Sequence, residues 1–229
     1  MNKAEVRAWI EETGVIAAVR ERSKEDALFA AETVARGGIP VVEIALTTPQ
    51  ATTIISHLAK SVPGIVVGAG SVTNPDAARQ CLDAGAQFLT SDGFHAAVNE
   101  FGAKQNVVVI PGTLTPTEVI NAWETSSDFV KVVPCAQLGG PAYIGPLHVM
   151  FPDIPLIASG GVDQQNASKL IIAGAIAIGV GRELIPREAI RLRQAARIGE
   201  LARRFLDFVK SGKAHLAAYT RRPSQVAGD

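Results

Sequence analysis

The chain has 229 residues, a length that fits one barrel or one α/β domain. Lysine and arginine together number 22, as do aspartate and glutamate, so the net charge is zero and nothing electrostatic favours nucleic acid or an anionic membrane. Aromatics are 5% of the chain, too few for base-stacking platforms, and the two cysteines, Cys81 and Cys135, fall in no metal or redox spacing. The polar N-terminus has no secretory core and no apolar run approaches the ~20 residues that span a bilayer, so a soluble protein of the reducing cytoplasm is expected.

Short apolar runs alternate with amphipathic segments throughout. An N-terminal helix is predicted over about residues 3–12 and a first strand over 14–20. Ser23 caps a helix over about 24–36, which Gly37-Gly38 ends. A second strand, 41–46, leads to Thr48-Pro49, a proline-assisted helix start. The third strand is 65–70, and Asn74-Pro75 opens a helix that runs to Gly85. The fourth strand, 87–90, ends in Ser91-Asp92-Gly93 and is followed by a helix near 95–104. The fifth, 107–110, ends in Pro111-Gly112-Thr113, and Thr115 with Glu118 forms a capping box for the next helix. The sixth strand is 129–133, followed by a Gly139-Gly140-Pro141 loop and a helix to about 149. The seventh, 155–158, ends in Ser159-Gly160-Gly161, with Asp163 capping a helix to about 173. The eighth, 175–179, ends in Val180-Gly181-Arg182, and a long amphipathic helix over about 187–211 closes the domain. Eight such units predict a (β/α)8 TIM barrel with an extra N-terminal helix, one domain over 1–229, with a core of about 5–211 and a flexible tail of about 214–229. A doubly wound sheet is the alternative, but the first strand runs into Arg20-Glu21-Arg22 and not into a glycine-rich dinucleotide turn.

In a barrel the reactive groups gather at the carboxyl ends of the strands. Lys131 stands in the apolar run Phe129-Val130-Lys131-Val132-Val133, where an ammonium loses hydration. Glu43 is likewise set in an apolar strand and shares a face with Val41 and Ala45. If both face the lumen, an amine and a carboxylate share one cavity and each offsets the other's desolvation. The plainer reading is a structural ion pair. The functional one is iminium chemistry: an amine to attack a ketone and a group to shuttle protons. Gly160, Gly161 and Gly181 follow the last two strands, where backbone N–H groups approach a phosphate. Two tight turns would need the same glycines. The four histidines are dispersed and suggest no metal site, and Arg191, Arg193, Arg197, Arg203 and Arg204 make a solvated helix face.

Phe129-Val130-Lys131-Val132-Val133-Pro134, Val42-Glu43-Ile44-Ala45-Leu46, Gly68-Ala69-Gly70-Ser71-Val72, Pro111-Gly112-Thr113 and Ser159-Gly160-Gly161-Val162 resemble the bacterial 2-keto-3-deoxy-6-phosphogluconate (KDPG) / 4-hydroxy-2-oxoglutarate (KHG) aldolases, in unbroken order over about residues 5–211. The resemblance implies a metal-free, cofactor-free class I pyruvate aldolase and a homotrimer. Lys131 then resembles the Schiff-base lysine and Glu43 the general acid/base. Arg20 resembles an arginine that helps hold the substrate carboxylate. Gly70, Ser71, Pro111, Gly112 and Thr113 would line the pyruvyl end, and Gly160, Gly161 and Gly181 the phosphate site. Ser159, Thr47 and Arg182 complete the substrate-binding set. Three positions depart from the family pattern. Thr47 stands where many KDPG members have arginine, as in the 6-phosphogalactonate relatives; Asp92 replaces a frequent proline; Arg182 replaces a frequent serine. The implied substrate is a keto-deoxy (phospho)sugar acid, with no nucleic-acid or membrane partner. Two other functions fit the same barrel: a phosphosugar isomerase or epimerase with Glu43 as base, and a non-catalytic phosphometabolite binder.

Overall fold

The computed structural model describes residues 1–220. Nine parallel strands form one sheet: β1 (Val15–Val19), β2 (Val41–Ala45), β3 (Val66–Gly70), β4 (Phe88–Thr90), β5 (Val108–Ile110), β6 (Gly112–Thr113), β7 (Val130–Val132), β8 (Leu156–Ser159) and β9 (Ala177–Val180). Pro111, which has no N–H to give a ladder, separates β5 from β6. The first half of that stave pairs with β4 and the second with β7, so its kink closes the ring. The result is the (β/α)8 barrel expected from the alternation, with β5 and β6 sharing one stave.

Among the described residues ten α-helices accompany the strands: α1 (Lys3–Thr13), α2 (Lys24–Arg36), α3 (Ala51–Ser61), α4 (Pro75–Asp83), α5 (Ala96–Lys104), α6 (Pro116–Glu124), α7 (Pro141–Met150), α8 (Ala167–Ile172), α9 (Arg187–Arg191) and α10 (Ala195–Thr220). None is long and apolar enough to cross a membrane. Strand alternation splits the core in two. Val15, Val42, Val67, Val130 and Ile178 face the helices, whereas Ile16, Val41, Val66, Phe88, Phe129 and Ile157 fill the lumen. Fully burying a phenylalanine such as Phe88 or Phe129 contributes about 1.5–3 kcal/mol.

The N-terminal helix stoppers the lower end of the barrel. Val6 and Ile10 of α1 pack into the lumen cluster, and Asn2 with Glu5 forms its capping box. Lys3 then reaches the buried Asp128 at 3.0 Å, which also accepts from the Val109 N–H at 2.9 Å and lies 4.0 Å from the Arg7 guanidinium. Among the described residues the opposite, carboxyl end of the barrel is the one the plug leaves open.

Several boundaries differ from expectation. Helix α3 begins at Ala51, because Gln50 adopts a left-handed φ of 59° and the Thr48 hydroxyl is engaged by the Glu21 N–H. Asp163 accepts from the N–H groups of Gln165 and Asn166, making a turn ahead of α8 in place of its cap. The closing helix is broken into α9 and α10 at Arg193, which has φ 52° and is fixed by Asp26 at 2.9 Å and by the Phe29 ring at 4.8 Å. Helix α10 continues to Thr220, past the expected start of the tail; the rest of that tail lies outside the described residues.

Candidate active site

Lys131 sits mid-strand on β7, with only 4% of its surface exposed. Its backbone is fixed from the neighbouring stave: its N–H donates to the Pro111 carbonyl at 2.9 Å and its carbonyl accepts from the Thr113 hydroxyl at 3.2 Å. It pairs in register with Gly112 and Ile157, and alternation turns its side chain into the lumen with Phe129 and Ile157. The amine reaches Thr90 Oγ1 at 3.3 Å and Asp92 Oδ1 at 3.4 Å.

Glu43 is 6% exposed and stands on β2 in register with Ala18 and Gly68. Gly70 makes its berth. A Cβ at Gly70 would lie 2.1 Å from Glu43 Oε1 and 2.5 Å from its Cδ. The carboxylate has no hydrogen bond or ion pair with any described residue. A buried polar side chain without a partner is costly and calls for a purpose. The sequence suggested that Glu43 and Lys131 would compensate each other; the structure makes Asp92 the ionic partner of Lys131 and leaves Glu43 facing the lumen unpaired.

Asp92 is the hub of the rim. Its Oδ2 accepts from the Ser71 hydroxyl at 2.6 Å and from Arg20 at 3.1 Å, and Arg20 also donates to Ser71 at 3.0 Å. Arg20 leaves the end of β1 and reaches residues past β3 and β4, so its side chain crosses the end of β2. Burial by itself would raise the Asp92 carboxyl, but the Ser71 hydroxyl, Lys131 and Arg20 outweigh it and hold the group below the usual carboxylate range. Ser71 has φ 57°, left-handed backbone that a non-glycine residue adopts only when its surroundings impose it. Sequence reasoning placed Asp92 at a strand end and marked it as a departure, without giving it a role, and passed over Thr90. The signal for Thr90 was its polar side chain two residues beyond Phe88, on the same face of β4.

The remaining expected residues divide. Gly112 faces the lumen, and a Cβ there would meet the Asp92 carbonyl carbon at 2.5 Å and the Gly93 nitrogen at 2.7 Å, so it lets the β4 loop close over the stave. Thr113 lies on the face of Val132, away from the lumen, and braces the Lys131 backbone. Pro111 contributes its carbonyl to the same strand. Gly160 and Gly161 have φ of 81° and 76°, and a Cβ on them would meet Pro134 Cα at 2.8 Å and Ala136 Cβ at 2.5 Å. The turn thus needs both glycines sterically. With Gly181 they also present N–H groups that have no acceptor among the described residues. Ser159 sits at the end of β8 against Gly179. Thr47 and Arg182 are exposed and lie outside the Lys131 cluster, on a pocket over β1, β2 and β9.

The model for the KDPG and KHG aldolases matches residues 6–201. The chain is 28% identical over 200 residues to the 2-dehydro-3-deoxy-phosphogluconate aldolase of Treponema pallidum, covering 87% of this chain and 95% of that one. It is 30% identical over 185 residues to the 2-dehydro-3-deoxy-6-phosphogalactonate aldolase of Escherichia coli K12, covering 77% and 86%. Among solved structures, the KDPG aldolase of Legionella pneumophila, with pyruvate captured at low pH as a covalent carbinolamine intermediate, matches with a TM-score of 0.79 at 29% identity, covering 86% of this chain and 96% of that one. The chain belongs to the KDPG and KHG aldolase family.

Proposed function

We propose that this protein is a class I aldolase that cleaves a 2-keto-3-deoxy acid to pyruvate and an aldehyde. The observation behind this reading is a buried lysine and a buried, unpaired glutamate on opposite staves of one lumen, at the end left open by α1. The Lys131 amine, after loss of a proton, adds to the C2 ketone, and loss of water leaves an iminium. Glu43 takes the proton of the C4 hydroxyl, directly or through one water. The C4 oxygen forms its carbonyl as the C3–C4 bond breaks, and that bond's electrons flow into the iminium to give an enamine. Protonation at C3 and hydrolysis return pyruvate and the free amine. Asp92 neighbours the amine and suits proton exchange during the dehydration step.

Arg20 and Ser71 are suited to the substrate carboxylate, which would then exchange with Asp92 as their partner. Gly160, Gly161 and Gly181 offer N–H groups to a distal phosphate. KDPG, its galactonate epimer and 4-hydroxy-2-oxoglutarate are the substrates to test, with glyceraldehyde 3-phosphate or glyoxylate as the second product. The family match does not favour the isomerase or epimerase alternative, in which Lys131 would act only as a charge. We place the reaction in the cytoplasm and infer a homotrimer. Exposed Val149 and Met150 at the end of α7, 80% and 53% accessible, suit burial between copies. Light scattering would report three copies of the 24.0 kDa chain or refute the trimer. A lactate-dehydrogenase-coupled assay of pyruvate release from the three acids tests the reaction. Release from at least one of them, abolished in Lys131→Ala, is expected; release that survives that substitution would refute it.

A further inference from the structure

Beside the lumen, over β1, β2 and β9, lies an open pocket of about 740 Å³. Ala18, Thr47 and Gly181 join it to the mouth, and Ala18 is the register neighbour of Glu43. Its wall is arginine-rich. Arg22, Arg182, Arg187 and Arg191 all line it, all are exposed, and none has a hydrogen bond, ion pair or ring contact with a described residue.

Outside the pocket most exposed arginines are paired, Arg203 being an exception among the described residues. Elsewhere on the surface Arg36 pairs with Glu32, Arg197 with Glu188 and Arg204 with Glu200. Inside the pocket wall the acids are unavailable. Asp26 is taken by Arg193 at 2.9 Å. Burial, helped by Asp26, pushes the Glu21 carboxyl upward although Arg187 and Arg182 pull it down, so Glu21 answers the arginines poorly. Four guanidiniums gathered with no carboxylate in an ion pair with any of them repel one another, and a doubly charged oxyanion relieves that repulsion through charge-assisted, bidentate hydrogen bonds. The break between α9 and α10 at Arg193 is what separates Arg187 and Arg191 from the paired arginines of α10.

We propose that Arg22, Arg182, Arg187 and Arg191 form an anion subsite for a phosphate monoester, separate from the Gly160–Gly161 turn. Neither Gly160 nor Gly161 lines this pocket, which opens on the other side of β9. The subsite stands on the pocket alone. That its occupant is the phosphorylated end of the substrate rests further on the aldolase reading, and would place that phosphate on these arginines in preference to the N–H groups of Gly160 and Gly161.

Glycerol 3-phosphate binding by calorimetry tests the subsite without catalysis. The native protein should bind it, Arg187→Ala/Arg191→Ala should weaken binding by about tenfold or more, and Arg187→Lys/Arg191→Lys should recover part of the loss. Circular dichroism of each variant guards against misfolding. No binding to the native protein, or equal affinity in the alanine variant, overturns the proposal. Kinetics then identify the source of the phosphate. If it belongs to the substrate, the alanine variant lowers kcat/KM for a phosphorylated keto-deoxy acid about tenfold relative to that for 4-hydroxy-2-oxoglutarate. If binding is lost while that ratio holds, the subsite takes a separate phosphate ester. Failure of pyruvate to modify Lys131 would sink the aldolase reading and leave the calorimetric result intact.

Discussion

Replacing Gly70 by alanine isolates the berth of Glu43. The new Cβ would lie 2.1 Å from Oε1, 2.5 Å from Cδ and 2.6 Å from Cγ of Glu43. Each is about 1 Å or more inside an ordinary contact. The clash falls on the outer atoms of a flexible side chain, and Gly70 does not occupy left-handed backbone, so the fold can yield by swinging the carboxylate aside. The stability cost therefore lies at the low end for overpacking, about 1 kcal/mol. In a domain of this size that lowers Tm by about 2–4 °C. Activity should suffer far more, because misplacing a proton acceptor by about 1 Å costs on the order of 10²-fold in rate. Differential scanning fluorimetry and the coupled pyruvate assay measure the two effects on one preparation. Covalent trapping of pyruvate should survive, since the atoms nearest the added Cβ belong to Glu43 and the Lys131 amine is held by Thr90 and Asp92. A Gly70→Ala enzyme with kcat within about twofold of native would refute the assignment of Glu43 as the C4 proton acceptor.

Other substitutions probe the rim and the plug. Asp92→Asn removes the carboxylate that Ser71, Lys131 and Arg20 hold below the usual range. A depressed native pKa gives stability that is complete above the unfolded value, about pH 4, and lost as pH falls through the native one. With Asp92 47% exposed, the gap between native and Asp92→Asn unfolding free energies in urea should be under about 1 kcal/mol and should close on acidification; a gap that widens toward low pH contradicts the geometry. Asp128→Ala strands Lys3 and the Val109 N–H beneath the barrel and should cost about 3 kcal/mol in urea unfolding, whereas a loss below about 1 kcal/mol would mean α1 is not held by that pair. Burial pushes the Cys81 and Cys135 thiols up to about 11, so a disulfide reagent near neutral pH should label neither in the folded protein and both in denaturant.

Much of this was legible in the sequence because barrel staves are apolar runs of limited length. A lysine or glutamate inside such a run is conspicuous, which is how Lys131 and Glu43 stood out. Local chemistry also read true where it was self-contained, as in the Thr115–Glu118 capping box and the Asn74-Pro75 start. Pairings across the barrel were not legible. Lys131 and Asp92 are 39 residues apart, and Arg20 and Asp92 are 72 apart. Their meeting depends on stave order and rim reach, which composition and periodicity do not encode. Gly70 had a visible place but not a visible job, since its purpose is the volume it leaves for Glu43. The arginine pocket was hidden for a similar reason. As a series along a helix, Arg191 to Arg204 looked uniformly solvated, and only the break at Arg193 separates Arg191, which lines the pocket, from the arginines of α10, which do not.

The central claim is a covalent bond between Lys131 and pyruvate. Incubation with pyruvate and borohydride, followed by intact mass and peptide mapping, tests it most directly. The account predicts one reduced pyruvyl adduct per chain, located on Lys131 and absent from Lys131→Arg. No adduct, or an adduct on any other of the lysines, would contradict it.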